Sequence, residues 1–126
     1  MQISGIQIRE AIENGLTGID KALGKFLQVS GLQVTYDRQL PINERVISIK
    51  HNGEKLVNNK IYKVAMSDYL ASGGDDFTMW QGAQNFVYRN PNDMLISDIV
   101  INYIRKKGKI APKTGNRLID LTEPKY

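Results

Sequence analysis

Two helical patterns lie near opposite ends of the chain, and the segment between them carries the period of β-strands. The clearer helix follows Pro91, with Asn92 as its predicted N-cap and Gly108 as its predicted end. Its apolar positions predict one broad buried face, formed by Leu95, Ile96, Ile99, Val100, Tyr103 and Ile104. Because helices and strands do not alternate regularly, the sequence predicts an α+β fold with a mixed or antiparallel sheet and two main helices.

The first helix is predicted over residues 4–14. Ser4 and Gln7 have the spacing of a capping box, in which each side chain accepts a backbone N–H from the other residue. Ile8, Ala11 and Ile12 form its apolar stripe, and we expect Gly15 to end it.

Strand patterns occupy most of the middle of the chain. Asn52-Gly53 is a strong hairpin turn signal and joins two of these patterns. The predicted strands span residues 32–36, 45–50, 55–57 and 61–66, with a short element at 117–119.

The composition fits one globular domain over residues 1–126, with a tail that frays over about 121–126. Cysteine is absent, which excludes disulfides and thiolate metal sites, and His51 is the one histidine. No apolar run approaches the about 20 residues that a membrane span requires. The first residues also lack the basic and apolar regions of a signal peptide.

The net charge of +4 includes one compact basic run, residues 105–109, with the sequence Arg-Lys-Lys-Gly-Lys. At a helix end these cations complement the negative pole of the helix dipole. The alternative is a non-catalytic interaction module that binds polyanions through this patch. Nucleic-acid binding is not predicted, because basic residues do not line one face with interleaved aromatics.

The segment that follows the predicted strand at residues 61–66 contains residue types suited to a ligand site. Tyr69 offers a ring on which a flat ligand can stack, and Asp75 offers a carboxylate that accepts two hydroxyl hydrogens. Gly73 and Gly74 allow positive φ or a close approach of backbone to ligand. The acids here repel phosphate, so the pattern favours the sugar end of a ligand. An ordinary strand end followed by a turn would also explain the segment.

Catalysis by the chain's own residues is not predicted. A serine nucleophile would depend on His51 as its base, but His51 lies beside the hairpin turn, where solvated polar residues are expected. Asp75 and Asp76 are adjacent, so their side chains are expected to point apart rather than share a proton. A small hydrolase that uses these three residues is therefore not favoured.

Three segments together resemble the C-terminal domain of 5′-nucleotidases, a family that includes UDP-sugar hydrolases and 2′,3′-cyclic phosphodiesterases. The resemblance runs from about Ile3 to Ile119. The segments are residues 4–14, residues 24–32 with Tyr36-Asp37, and residues 68–75 with the sequence Asp-Tyr-Leu-Ala-Ser-Gly-Gly-Asp.

The resemblance implies that hydrolysis and nucleoside binding belong to different domains. Members of the family hydrolyse nucleotides at a centre of two divalent metal ions in a separate N-terminal metallophosphatase domain. Their C-terminal domain holds the base between two aromatic rings and the ribose hydroxyls on an aspartate. By position, Tyr69 resembles a stacking aromatic and Asp75 resembles the ribose-binding aspartate, with Gly73 and Gly74 between them. Asp76 departs from the glycine that usually follows.

The resemblance also implies that the chain begins partway through the domain. The second stacking aromatic and the metal ions are then expected elsewhere in the parent protein, so this chain alone is expected to bind nucleosides weakly and to hydrolyse nothing. No cofactor is predicted in the chain itself. The implied location is extracytoplasmic, whether periplasmic, cell-wall or secreted. Missing strands would leave a sheet edge exposed, which invites self-association.

Overall fold

The computed structural model describes residues 1–21, 23–81, 95–113 and 115–122. These ranges hold two β-sheets and three α-helices, which confirms the predicted α+β class. Within them, no helix combines the length and apolar character needed to cross a bilayer. The helices are α1 (Gly5–Leu16), α2 (Asp68–Ala71) and α3 (Ile96–Lys107), and the strands are β1 (Gln2–Ser4), β2 (Leu32–Tyr36), β3 (Val46–His51), β4 (Glu54–Lys55), β5 (Ile61–Lys63) and β6 (Leu118–Asp120).

The capping box at the start of α1 is confirmed. The Gln7 N–H donates to Ser4 Oγ at 3.3 Å, and the Ser4 N–H donates to Gln7 Oε1 at 2.8 Å. The predicted end at Gly15 is wrong, because α1 continues to Leu16. Gly15 is buried where a Cβ atom would lie 3.1 Å from the carbonyl oxygen of Lys25. The glycine therefore admits a neighbouring segment against the helix instead of ending it.

The larger sheet has the strand order β4-β3-β2-β6, with β2 antiparallel to β3 and parallel to β6. The predicted hairpin turn joins β3 to β4, with positive φ at Asn52 (52°) and Gly53 (84°). Strand β2 has the predicted bounds, β3 and β6 are shifted by one residue, and β4 and β5 are shorter than predicted. One core cluster joins α1 to this sheet and comprises Ile12, Leu16, Val34, Tyr36, Val46 and Ile49.

A buried carboxylate fixes α1 to the start of β3. Glu13 Oε1 accepts the Val46 N–H at 2.7 Å, and Glu13 Oε2 accepts the Arg45 N–H at 3.1 Å. The Arg45 guanidinium also donates to the carbonyl of Leu16 at 2.8 Å. Because the backbone donors are satisfied, the polar groups tolerate burial beside the core.

The smaller sheet pairs β1 and β5 antiparallel. Beside it lies a second core cluster, formed by Ile3, Ile8, Ala11, Phe77 and Trp80. The rings of Phe77 and Trp80 are stacked with centroids 5.6 Å apart, and both side chains are buried. Trp80 Nε1 donates to the carbonyl of Leu70 at 2.8 Å. This bond fixes α2, and thus the candidate site, to the core.

The predicted burial of the apolar face of α3 is wrong. The side chains of Leu95, Ile96, Ile99, Val100 and Tyr103 are between 48% and 68% exposed, so the described part of the chain does not cover this face. Helical spacing reveals that a face is apolar, but it does not identify what covers that face. The helix begins at Ile96, and it ends before Gly108 as predicted, while Asn92 lies outside the described residues.

The last described residues, Leu121 and Thr122, follow β6 beside the larger sheet. The Leu121 N–H donates to the carbonyl of Tyr36 at 2.9 Å, and the Thr122 N–H donates to Asp120 Oδ1 at 2.9 Å. The rest of the predicted frayed tail, residues 123–126, lies outside the described residues. A single domain over the whole chain stays a prediction.

Candidate functional site

Tyr69 and Asp75, the two main residues of the predicted site, are hydrogen bonded to each other. Tyr69 Oη donates to Asp75 Oδ1 at 3.0 Å. Helix α2 is a single turn whose N-cap is Ser67, and Ser67 Oγ accepts the Leu70 N–H at 3.3 Å. Tyr69 is 56% exposed and Asp75 is also exposed. The local fold thus presents an aromatic ring and a carboxylate to solvent side by side.

The two glycines between them have different roles. Gly73 has φ 94° and ψ 16°, a left-handed conformation that glycine adopts without steric cost. Gly74 lies directly against the Tyr69 ring, because a Cβ atom at Gly74 would overlap Cζ, Cε1 and Cε2 of that ring. The sequence predicts that a ligand approaches the backbone closely at these glycines. In the free chain, the Tyr69 ring occupies that position at Gly74.

A residue distant in sequence supports the backbone of Asp75. Asn14 Nδ2, in the last turn of α1, donates to the carbonyl oxygen of Asp75 at 3.0 Å. Asp75 itself is left-handed, with φ 53° and ψ 37°, which is a strained region for most side chains but tolerable for aspartate. Sequence reasoning missed Asn14, since no local pattern links residues 61 positions apart.

Asp76 has a different partner from Asp75. Its Oδ2 lies 4.0 Å from Lys25 Nζ, and Lys25 Nζ also donates to Asn14 Oδ1 at 3.3 Å. Asp76 has φ 63°, so the position where the resemblance expects glycine carries an L-residue in a conformation that glycine favours. The two carboxylates therefore do not share a partner, as expected for adjacent residues in a turn.

The phenol of Tyr69 is held in its protonated form. Its pKa is raised above the ordinary 10.0, chiefly by the hydrogen bond to Asp75 and then by the negative charge of that carboxylate. The phenol, which is protonated at neutral pH in any tyrosine of ordinary pKa, therefore stays a hydrogen-bond donor to higher pH here.

An open groove of about 730 Å³ lies elsewhere, between α1 and β5, and does not include Tyr69 or Asp75. Apolar side chains such as Ile8, Leu27 and Trp80 line it, and no carboxylate does. Gln28, Ser30 and His51 also line the groove, but it has no carboxylate, the acceptor that binds two hydroxyls of a diol at once. We therefore assign the candidate site to the turn after α2.

The remaining candidate groups do not join this site. His51 ends β3, where its ring packs edge-on against Tyr62 with centroids 5.7 Å apart. Over the ranges given above, no cluster of three or more histidine, aspartate or glutamate side chains could hold a metal ion. Arg105, Lys106 and Lys107 form the last turn of α3 and point in different directions, because successive helical residues are about 100° apart.

The comparisons with known proteins all indicate the same family. Residues 1–82 match the family described as 5′-nucleotidase, C-terminal domain. The chain is 32% identical to a snake venom 5′-nucleotidase from Naja atra, covering 94% of this chain and 23% of that protein. It is 29% identical to the trifunctional nucleotide phosphoesterase protein YfkN of Bacillus subtilis (strain 168), covering 97% of this chain and 8% of that protein.

A solved structure agrees with these matches. The crystal structure of a 5′-nucleotidase precursor from Thermus thermophilus aligns with a TM-score of 0.87 and 30% identity, covering 98% of this chain and 25% of that one. The chain thus spans about a quarter or less of the length of these relatives. The match covers 82 of the 126 residues, and the chain belongs to the 5′-nucleotidase C-terminal domain family.

Proposed function

We propose that this chain is the nucleoside-recognition part of a metal-dependent 5′-nucleotidase-family phosphohydrolase that acts in nucleotide catabolism. In this proposal the base stacks on the Tyr69 ring and the ribose hydroxyls bind Asp75. The observation that carries it is the 3.0 Å separation of Tyr69 Oη and Asp75 Oδ1 on one exposed turn. A stacking surface and an acceptor for a diol are adjacent there.

The geometry around the pair supports a ligand that is flat at one end and hydroxylated at the other. Gly74 lies under the hydroxyl end of the Tyr69 ring, and more than half of that side chain is exposed to solvent. Asp75 Oδ1 accepts the Tyr69 hydroxyl, and the carboxylate has further acceptor positions. Asp76 adds a second negative charge, which disfavours a phosphate at this end. The phosphate of a bound nucleotide would therefore point away from the turn.

Hydrolysis itself is assigned to another part of the parent protein. We expect two divalent metal ions in an N-terminal domain of the parent, as the family resemblance implies. The relatives are long enough to hold such a domain, since they are about four times as long as this chain. The chain alone would bind nucleosides at millimolar or weaker affinity, since one stacking surface contributes modestly to binding. An extracytoplasmic parent is consistent with the venom relative.

The test is a titration with adenosine, monitored by NMR, of this chain and of its variants Asp75→Asn and Asp76→Asn. Both variants remove one negative charge from the same turn, so they are matched for electrostatics. The proposal predicts that Asp75→Asn weakens adenosine binding severalfold and that Asp76→Asn has a smaller effect. Equal effects of the two variants, or micromolar affinity that neither variant changes, would contradict it.

Self-association through a sheet edge is part of the same proposal. Strands β1 and β5 pair only with each other among the described strands. Unpaired backbone groups on a sheet edge can pair with another copy. Light scattering that shows a mass increasing with concentration would support this, whereas a constant monomer mass at high concentration would oppose it.

A further inference from the structure

We propose that the Tyr69 hydroxyl competes with the ligand for Asp75 and thereby weakens the preference of the site for a ligand with two adjacent hydroxyls. This inference rests on the proposed function, because it assumes that Asp75 binds ligand hydroxyls. It adds that the chain carries an internal group that mimics one of those hydroxyls. Tyr69 would then affect both the affinity and the selectivity of the site.

The competition follows from the position of the phenol. Tyr69 Oη donates to Asp75 Oδ1 at 3.0 Å, which is a full hydrogen bond between a hydroxyl and a carboxylate. A vicinal diol binds a carboxylate best when its hydroxyls reach both oxygens. One oxygen already accepts a hydroxyl in the free chain, so a diol must displace Tyr69 or share Oδ1 with it. Either outcome costs part of the binding free energy.

Both partners of this hydrogen bond are also held by other contacts. The Tyr69 ring packs on Gly74, where no side chain intervenes. The backbone of Asp75 accepts the Asn14 side-chain amide at 3.0 Å. The position of the phenol ring and the backbone of Asp75 therefore have supports besides the bond between them. Replacing Tyr69 by phenylalanine should leave the ring on Gly74 and free Asp75 Oδ1.

The size of the effect follows from population arithmetic. The apparent affinity of a ligand equals its intrinsic affinity multiplied by the fraction of the protein in which the site is free. Because the pair is exposed and water competes with it, we expect Tyr69→Phe to raise adenosine affinity by about threefold. A ligand without ribose hydroxyls does not need Asp75 Oδ1, so its affinity should not change.

The experiment measures binding of adenosine and 2′,3′-dideoxyadenosine to the chain and to Tyr69→Phe by NMR titration. We expect the affinity ratio of adenosine to dideoxyadenosine to rise about threefold in the variant. The control is Tyr103→Phe, which removes another exposed phenol and should leave the ratio unchanged. A ratio that stays constant or falls in Tyr69→Phe would overturn the inference, since the hydroxyl would then be neutral or would help to organise the site.

A third variant separates this inference from the proposed function. Asp75→Asn should reduce the preference for adenosine over dideoxyadenosine whether residue 69 is tyrosine or phenylalanine. If Asp75→Asn loses the preference while Tyr69→Phe leaves it unchanged, only the competition is refuted. If Asp75→Asn retains the preference, or if adenosine shifts no resonance of the chain, the proposed function fails and the inference fails with it.

Discussion

Asn14 and Asp75 are joined by a hydrogen bond from the Asn14 side-chain amide to the Asp75 backbone carbonyl, 3.0 Å long. Asn14 belongs to the last turn of α1, and Asp75 carries the carboxylate of the candidate site. The bond therefore connects the first helix of the chain to the turn that would hold a ligand. Because Asp75 has a left-handed backbone, an external support of this kind helps to keep its carboxylate in place.

Removing this support should weaken ligand binding. We expect Asn14→Ala to reduce adenosine affinity about threefold, because the hydrogen bonds of the Asn14 side chain to the Asp75 carbonyl and from Lys25 are lost and the turn gains freedom. Asn102→Ala is the matched control, since Asn102 is an exposed asparagine in the middle of α3. NMR titration of both variants measures the effect, and equal affinities for Asn14→Ala and Asn102→Ala would show that the support is unimportant.

Gly74→Ala should displace the Tyr69 ring. The added methyl would overlap the hydroxyl end of that ring, so the ring must move and its bond to Asp75 must break. Gly24→Ala is the control, because a methyl there meets no described atom within 4 Å. We expect the Tyr69 ring resonances to shift strongly in Gly74→Ala and to stay unchanged in Gly24→Ala. A Gly74→Ala variant with unchanged Tyr69 resonances would contradict the close packing.

The titration of Tyr69 should depend on Asp75. The raised pKa means that the protonated phenol is favoured in the folded chain, so this contribution to stability is complete below pH 10.0 and is lost as the pH rises through the raised pKa. We expect Asp75→Asn to lower the pKa of Tyr69 toward 10.0, and Asp76→Asn to lower it less. An NMR titration of the ring resonances measures both. An unchanged pKa in Asp75→Asn would contradict the hydrogen bond.

The two helices should respond differently to loss of an apolar side chain. Ile12 is buried in the core beneath α1, so Ile12→Ala should cost about 2–5 kcal/mol of the free energy of unfolding. Ile99 is 53% exposed on α3, so Ile99→Ala should change that free energy by about 0.5 kcal/mol or less. Urea unfolding of the two variants gives the comparison. A similar large loss for Ile99→Ala would mean that the apolar face of α3 is covered after all.

Local sequence signals predicted the local structure well. The Ser4 and Gln7 capping box and the turn at Asn52 and Gly53 are both present, because each is determined by a few neighbouring residues. Tyr69 and Asp75 meet for a similar reason, since they are only six positions apart on one tight turn. A motif contained within one turn is therefore accessible to sequence reasoning.

Contacts between distant segments could not be predicted in the same way. Asn14 and Lys25 reach the candidate site only because α1 and the segment that follows it pack beside the turn. Gly15 continues α1 for a tertiary reason, the approach of Lys25, whereas its residue type alone indicates a helix end. The apolar face of α3 failed as a burial prediction because amphipathicity does not specify a partner.

The most direct test of the nucleoside site is an NMR measurement of intermolecular nuclear Overhauser effects in a mixture of this chain and adenosine. The proposed function predicts contacts from the adenine protons to the Tyr69 ring and from the ribose protons to Asp75. Contacts confined to the groove lined by Ile8, Leu27 and Trp80, with none to Tyr69, would contradict it.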